Sequence, residues 1–481
     1  MTNYFDKYDL SEALLRAIGL LGYEKPTKVQ QEVLPLLLKE QDVVVKSQTG
    51  SGKTAAFAIP ICERVSWEEN RPQALVLTPT RELALQVQED FFNIGRFKRI
   101  KAVGLYGKAS FHIQQKELKQ KTHVVVATPG RLLDHLKRGT IVTDAIRYLV
   151  IDEADEMLKM GFLDEVGEII ERLPKKRTTM LFSATIPPDI KELCKRYLKE
   201  PVEISINPEH VANTKIEAVC YEIKANEKLE ALKRLTKVEN PNCCMIFCNR
   251  KDSVDEVYEA LRDSHYSCAK LHGGMEQKDR FSVMEEFRRG RYRYLVATDV
   301  AARGIDIDHI THVINFDVPE DKENYVHRIG RTGRGEKSGK ALMLVTPRDT
   351  RFMTAIESYV GHPLKRELLP SEVEVDQLEQ AFEETMNSPL EIQTKKGEAL
   401  SQDILKLHIN AGKKTKMRPV DIVGTLCNLP GMSADDIGII NIQDISTYVE
   451  VLNGKGEMVY KILQKTPIKG RIRRVSKVEN R

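Results

Sequence analysis

Aromatic residues are scarce in this chain of 481 residues, making up 6% of it with a single tryptophan. No apolar run approaches the ~18 residues that a membrane span needs, so no transmembrane helix is expected. The first stretch, MTNYFDKYDL, has neither the basic start nor the apolar centre of an export signal, and the expected location is the cytoplasm. The eight cysteines (Cys62, Cys194, Cys220, Cys243, Cys244, Cys248, Cys268 and Cys427) show no paired C-x-x-C spacing. That speaks against a disulfide framework or a zinc site, and buried free thiols in a reducing compartment are expected. No internal repeat or low-complexity tract stands out.

What is present is charge and periodicity. Hydrophobic residues at 41% and charged residues at 30% describe a soluble globular protein, and the length allows about two to four domains. The net charge of +4 is uneven. Residues 1–370 carry 58 Lys/Arg against 54 Asp/Glu, residues 371–400 carry 2 against 8, and residues 401–481 carry 14 against 8. A basic tail behind an acidic connector predicts an anionic partner for the tail.

Apolar β-branched runs near 43–45, 74–78, 124–128, 148–151 and 180–183 alternate with helical stretches. This is the βαβ rhythm of a parallel sheet covered on both faces. After a proline-marked break at 199–214 a second alternation runs through 245–248, 294–298, 312–317 and 340–345. The fold class expected is therefore α/β, two parallel-sheet lobes at 1–205 and 215–365 joined by a linker at 206–214. An acidic, amphipathic stretch at 366–400, read as a helix plus a connector, and a small α+β domain at 401–481 should follow. In that last domain a strand is read over VDIVGTLCNL (420–429) and a helix near SADDIGII (433–440). A strand over STYVEVLN, a helix over EMVYKILQKT and a final strand over RIRRVSKV complete a βαββαβ layer.

The first lobe opens with VVVKSQTGSGKT (43–54), a buried strand running into a glycine-rich turn. Gly50 and Gly52 let backbone amides point inward, and the following helix start adds its positive end, which together cradle phosphates. Lys53 is placed to neutralise β/γ-phosphates and the Thr54 hydroxyl to ligate Mg²⁺. The first glycine of the general phosphate-loop pattern is replaced here by Ser47. Asp152-Glu153-Ala154-Asp155 follows directly on the strand at 148–151. At a strand's carboxyl end Asp152 would face Mg²⁺, partly through water, and Glu153 would orient and deprotonate an attacking water.

With D-E-A-D in that place the chain resembles the DEAD-box RNA helicases, whose other sequence blocks occur in order over about residues 5–350. The resemblance implies two RecA-like lobes, ATP and Mg²⁺ as cofactors, and RNA as partner. Its nucleotide pocket would comprise Phe5, Tyr23, Thr27 and Gln30, the loop residues Ser47, Gln48, Thr49, Gly50, Ser51, Gly52, Lys53 and Thr54, and Asp306. Gln30 is the expected adenine reader, since a carboxamide offers both donor and acceptor. Pro79, Thr80 and Arg81, with Thr128, Gly130 and Arg131, resemble blocks that grip an RNA backbone. Ser183 and Thr185 resemble the block that couples ATP state to strand separation. Lys108 stands where many relatives carry glycine.

In the second lobe no glycine–lysine loop occurs, but HRIGRTGR (327–334) carries Arg331 and Arg334, two arginines spaced to reach anionic oxygens together. In the family these positions face ATP, the latter as an arginine finger, while His327 links sites. Arg250, Gly273, Gln277, Arg280 and Thr298 resemble RNA-side residues. His272 reads equally as a structural histidine or an RNA contact.

The tail resembles an RNA-recognition-motif domain poor in stacking groups. Residues 401–481 contain only Tyr448 and Tyr460 as aromatics, and Ser446 occupies a place where a second would be typical. Lys413, Lys414, Lys416 and Arg418 supply charge before the first strand. Arg471, Arg473 and Lys477 would share one face of the last strand if it is extended. A tail of this kind resembles that of the bacterial DbpA/YxiN subfamily, which implies a 23S rRNA hairpin and pre-50S particles as targets. The reading is an ATP-dependent RNA helicase, catalysed by Lys53, Asp152, Glu153, Arg331 and Arg334, with no protein partner evident. A low-turnover ATP-gated RNA clamp or a DNA translocase on the same lobes are the alternatives.

Overall fold

The computed structural model describes residues 4–47, 50–206, 216–302, 307, 309–333, 337–390, 392 and 397–478. The chain divides into two compact units. One holds residues 1–46, 52–204 and 395–481, the other 205–394 together with 47–51. Among the described residues no helix is long and apolar enough to cross a membrane.

The first lobe is built on seven strands: β1 (Val43–Lys46), β2 (Ala74–Leu77), β3 (Ala102–Leu105), β4 (Val124–Ala127), β5 (Tyr148–Ile151), β6 (Thr178–Ser183) and β7 (Val202–Ser205). Their order is β3-β4-β2-β5-β6-β1-β7. Every residue of β2, β4 and β5 is buried, a continuous apolar run rather than an alternation, because helices cover both faces. β6 lies between β5 and β1 and pairs in parallel with each. The loops that leave these three strands therefore open side by side at the sheet's carboxyl edge, where open parallel sheets bind ligands.

The second lobe repeats the plan with β8 (Ile216–Glu222), β9 (Cys244–Cys248), β10 (Cys268–Leu271), β11 (Tyr294–Thr298), β12 (His312–Asn315), β13 (Gly339–Val345) and β14 (Lys365–Glu367). Their order is β10-β11-β9-β12-β13-β8-β14. The acidic stretch from 366 begins in β14 and continues as the helix Glu372–Asn387, capped by Ser371 and Glu374 in a reciprocal box. Val375 and Phe382 of this helix are buried, with the Phe382 ring 5.2 Å from that of Tyr266. An apolar stripe under an acidic surface thus joins this helix to the second lobe, where the charge count suggested a connector.

The tail is a four-stranded antiparallel sheet in the order β16-β17-β15-β18, from β15 (Leu405–Ile409), β16 (Ile437–Ile442), β17 (Thr447–Val451) and β18 (Val475–Lys477). Two expected elements are exchanged. The stretch read as the first strand is the helix Pro419–Cys427, and the stretch read as a helix is a short 3₁₀ turn, Ala434–Asp436, leading into β16. Proline at the helix start and Asp421 returning to the Arg418 amide outweigh the β-branched content of VDIV. The true first strand is β15, so Lys413, Lys414, Lys416 and Arg418 follow it instead of preceding it. The last strand is also shorter than expected: Arg471 sits in a bridge with Ile468 and Arg473 precedes β18, so only Lys477 of the three lies in it.

Candidate functional site

β1 delivers the chain into the glycine turn, and the helix Lys53–Arg64 begins immediately after it. Gly50 (φ 80°) and Gly52 (φ 88°) both adopt left-handed backbone. At Gly52 a Cβ would lie 2.8 Å from Gln30 Nε2 and 2.9 Å from Thr27 Oγ1, so glycine alone fits. Thr27 caps the helix Lys28–Leu37 and forms a reciprocal box with Gln30. Gln30 Oε1 accepts from the Thr27 amide at 3.0 Å, and Nε2 donates to the Gly52 carbonyl at 3.2 Å. Gln30 and Ser47 are both buried, Tyr23 is half-buried, and Phe5 is fully buried with its ring centroid 6.2 Å from that of Tyr8. Gln48 and Thr49 lie outside the described residues.

Asp152, at the end of β5, is 2% exposed. Burial pushes its carboxyl up, Lys53 opposes that shift, and Glu153 adds to it. Glu153 has φ 55° and ψ 52°, a left-handed conformation uncommon for a side chain of its size, and it starts the helix Ala154–Lys159. A buried carboxylate beside Lys53, with the Thr54 hydroxyl in the helix's first turn, fits Mg²⁺, which takes one or two carboxylates and keeps much of its water. Among the described residues no group of three or more His, Cys, Asp or Glu is arranged to hold a metal unaided.

The fourth residue of D-E-A-D, which the sequence reading left without a role, ties this helix to β6. The Asp155 amide donates to Ser183 Oγ at 3.1 Å. Its Oδ2 accepts from the Thr185 amide at 3.0 Å and from Thr185 Oγ1 at 3.2 Å. Ser183 Oγ in turn donates to the Thr185 carbonyl at 2.6 Å. Spacing of three within the motif was the available signal.

Of the residues expected to grip RNA in this lobe, Pro79 and Thr80 are buried, and Thr80 Oγ1 caps the helix Arg81–Ile94 by accepting from the Leu83 amide. Arg81 is half-buried. Thr128 precedes the helix Pro129–Lys137, and Gly130 is exposed with open space at its Cβ position. The Arg131 guanidinium donates to the Ala109 carbonyl at 2.9 Å and to Gln114 Oε1 at 2.7 Å, so it braces the 109–114 segment. Lys108 has φ 57°, a left-handed backbone that glycine would adopt without strain.

In the second lobe, Arg250 and Gly273 are exposed, Gln277 and Arg280 lie in the first turn of the helix Gln277–Arg288, and Thr298 ends β11. His272 is buried, accepts from the Gly274 amide at 3.2 Å and has Nε2 3.3 Å from Asp255 Oδ1, a structural arrangement. His327 and Arg331 line one narrow cleft with Asp299, Asn324 and Arg328. Asp306 and Arg334 lie outside the described residues. The sequence reading missed Arg328, which is 1% exposed. It donates to both Asp299 oxygens (2.5 and 2.7 Å), to Asn249 Oδ1 (2.7 Å), to Asn315 Oδ1 (3.1 Å) and to the Asp317 carbonyl (2.7 Å).

On the tail, Thr447, Val449 and Val451 point into the core, so Tyr448 and Glu450 share the outer face. His408 lies opposite Tyr448 with ring centroids 5.1 Å apart, and its two ring nitrogens sit 3.0 Å from Ser446 Oγ and 3.2 Å from Ser476 Oγ. Lys406 Nζ is 5.5 Å from the Tyr448 ring centre. Lys413, Lys414, Arg418 and Arg471 are exposed outside the strands and Arg473 is half-buried, while Lys477 turns to the other face of the sheet, paired with Glu457 and over the Tyr460 ring of the helix Gly456–Leu463.

Comparison with known proteins places three families along the chain in order. The DEAD/DEAH box helicase family matches residues 27–193, the helicase conserved C-terminal domain 227–336, and the DbpA RNA binding domain 406–477. The chain is 53% identical to the ATP-dependent RNA helicase DbpA of Bacillus subtilis over 475 residues, 99% of each chain. It is 42% identical to the DEAD-box ATP-dependent RNA helicase CshA of the same organism over 366 residues, 76% of this chain and 74% of that one. Among solved structures, S. cerevisiae Dbp5 bound to RNA and ADP BeF3 superimposes with a TM-score of 0.72 at 30% identity, covering 80% of this chain and 100% of that one.

Proposed function

Since the chain belongs to the DEAD-box ATP-dependent RNA helicases of DbpA type, enzymes that hydrolyse ATP on RNA, we propose that it opens short RNA duplexes locally and is directed by its tail to large-subunit (23S) rRNA during ribosome assembly. The observation that carries this reading is the RNA-binding family match over 406–477 behind two helicase lobes, in a domain with Lys413, Lys414 and Arg418 exposed between its first strand and first helix. Its place of action would be the cytoplasm, on pre-50S particles.

In this reading Lys53 and the amides of the glycine turn hold the ATP phosphates, and Gln30 pairs with the adenine edge. Glu153 orients the attacking water and takes its proton. Mg²⁺, held by Asp152 and Thr54, would supply charge neutralisation on the phosphate oxygens. Arg331 and Arg334 complete the site from the second lobe, and a finger of this kind is worth on the order of 10³–10⁵ in rate. Hydrolysis therefore depends on the lobes closing. The RNA-side residues of both lobes address backbone, which carries no base sequence, and selectivity falls to the tail. Stacking in DNA averages about 1.4 kcal/mol per step, and with RNA taken as similar one closure offsets only a few steps. Short duplexes should open, and long ones should not be unwound processively.

The test is the ATPase rate of the full chain with no nucleic acid, duplex DNA, generic RNA and 23S rRNA fragments. The reading expects stimulation by RNA, strongest with one rRNA fragment. Stimulation by DNA alone, or equal stimulation by all RNAs, would overturn the substrate or the targeting respectively. Negligible turnover with every RNA would favour a clamp.

A further inference from the structure

The outer face of the tail's sheet is not open along its whole length. Its Glu450 end lies against the first lobe, within the same compact unit. Arg96 Nη2 is 3.4 Å from Glu450 Oε1, and both side chains are 8% exposed. Arg99 donates to the Ala434 carbonyl. Arg16 donates to Asn453 Oδ1 at 2.8 Å. Beside these, Gly397 presses on Asn93, whose amide lies 3.1 Å from where a Cβ would stand. The contact thus joins the helix Glu12–Leu20, the end of the helix Arg81–Ile94 and the loop after it to two adjoining parts of the tail: the start of β16 and the end of β17.

Two features mark this contact as one that opens. Arg96 and Arg99 are both drawn out of water, which lowers the pKa of each, yet the Nε of each has no hydrogen-bond partner among the described residues. A buried guanidinium with unmet donors is held less firmly than a fully paired one. The contact also covers part of the sheet's outer face, the face on which four-stranded domains of the RNA-recognition-motif type stack bases. His408 and Tyr448 form the uncovered end of that face, while Glu450 and Gly438 form the covered end, with Lys406 opposite Glu450 at its margin.

We propose that the Arg96–Arg99 face of the first lobe is a docking site for the tail's own sheet, and that RNA extending across the sheet past Tyr448 displaces it. The docked tail is then a latched state in which the lobe and RNA compete for one surface. Release leaves the tail free to hold RNA while the first lobe takes up its own segment. The competition rests on RNA binding by the tail; the docking does not.

The test uses full-length chain carrying a donor and acceptor dye at Lys195 of the first lobe and Lys465 of the tail. Without RNA the wild-type chain should give a narrow distance distribution. R96E should broaden it, R99Q should move it the same way, and the charge-exchanged R96E/E450R should restore it. A structured RNA should broaden the wild-type distribution, and R96E should tighten RNA binding about three- to tenfold, because a larger fraction of tails is competent. A distribution that R96E leaves unchanged, or that R96E/E450R fails to restore, overturns the docking. Broadening by R96E with no gain in RNA affinity overturns the competition alone.

Discussion

Removing the guanidinium of Arg328 should unfold the second lobe's carboxyl edge before it affects anything else. The side chain is the largest fully buried one in the described chain and gathers groups from three separate segments: Asn249 after β9, Asp299 after β11, and Asn315 with the Asp317 carbonyl at the end of β12. R328M keeps the volume and strips every donor. It leaves the Asp299 carboxylate without its fork and Asn315 Oδ1, in a residue of 0% exposure, without this donor. Breaking a buried pair from one side costs about 3–5 kcal/mol. For a lobe of this size each kcal/mol moves the midpoint by about 2–4 °C, so a fall of roughly 10 °C is expected in the transition of the second lobe. R328K, which keeps the charge but not the planar fork, should fall in between, because Lys cannot bond both Asp299 oxygens and two amide oxygens at once. Differential scanning calorimetry of the full chain reads this directly. A shift below about 2 °C for R328M would refute the argument that these five bonds hold the lobe together.

Three further outcomes follow from the geometry. G52A should lower affinity for a fluorescent ADP analogue by at least about tenfold, or about 1.4 kcal/mol, since its Cβ would meet Gln30 and Thr27 at 2.8 and 2.9 Å on a backbone with φ 88°. Acidification should weaken the first lobe: burial pulls His123 and His135 down to about 4, so between that value and 6.5 the unfolded chain binds protons that the native one refuses. From pH 7 to pH 5 the loss amounts to at most about 2 kcal/mol per histidine, visible as a lower urea midpoint, and a rising midpoint would contradict it. K413E/K414E should weaken RNA binding and flatten its salt dependence by about 0.7 for each phosphate no longer neutralised, measured by anisotropy from low to moderate salt.

The parts of the site that were legible in sequence are those in which chemistry is local. The glycine turn with Lys53 and Thr54, and Asp152-Glu153 at a strand end, each need only a few consecutive residues and a preceding apolar run. Arg328 was invisible for the opposite reason. It sits inside HRIGRTGR beside residues read as anion contacts, and only the fold shows that it points inward, toward partners up to 79 residues away. Arg131 shows the same limit, because its Gln114 partner is set by the packing of two helices. In the tail, VDIVGTLC reads by composition as a strand, but a proline start and the capping Asp421 make it a helix. β15, which the sequence reading passed over, has a solvent-facing alternation of Lys406 and His408 that resembles loop. The helix within 371–400 was legible from its amphipathic pattern, but that its Val375–Phe382 stripe packs on the second lobe was not.

A carboxamide has four hydrogen-bonding valences, two N–H and two lone pairs. Gln30 commits one of each within the chain, to the Gly52 carbonyl and the Thr27 amide, and retains one of each. That remaining pair is the complement an adenine edge requires. In the proposed reading the same plane of atoms is wedged between the base end and the phosphate end of the nucleotide. Base choice and loop support are therefore inseparable to mutation here: any replacement at position 30 that alters which base is preferred also removes a prop from the turn at Gly52. Its effect on turnover cannot be assigned to recognition alone.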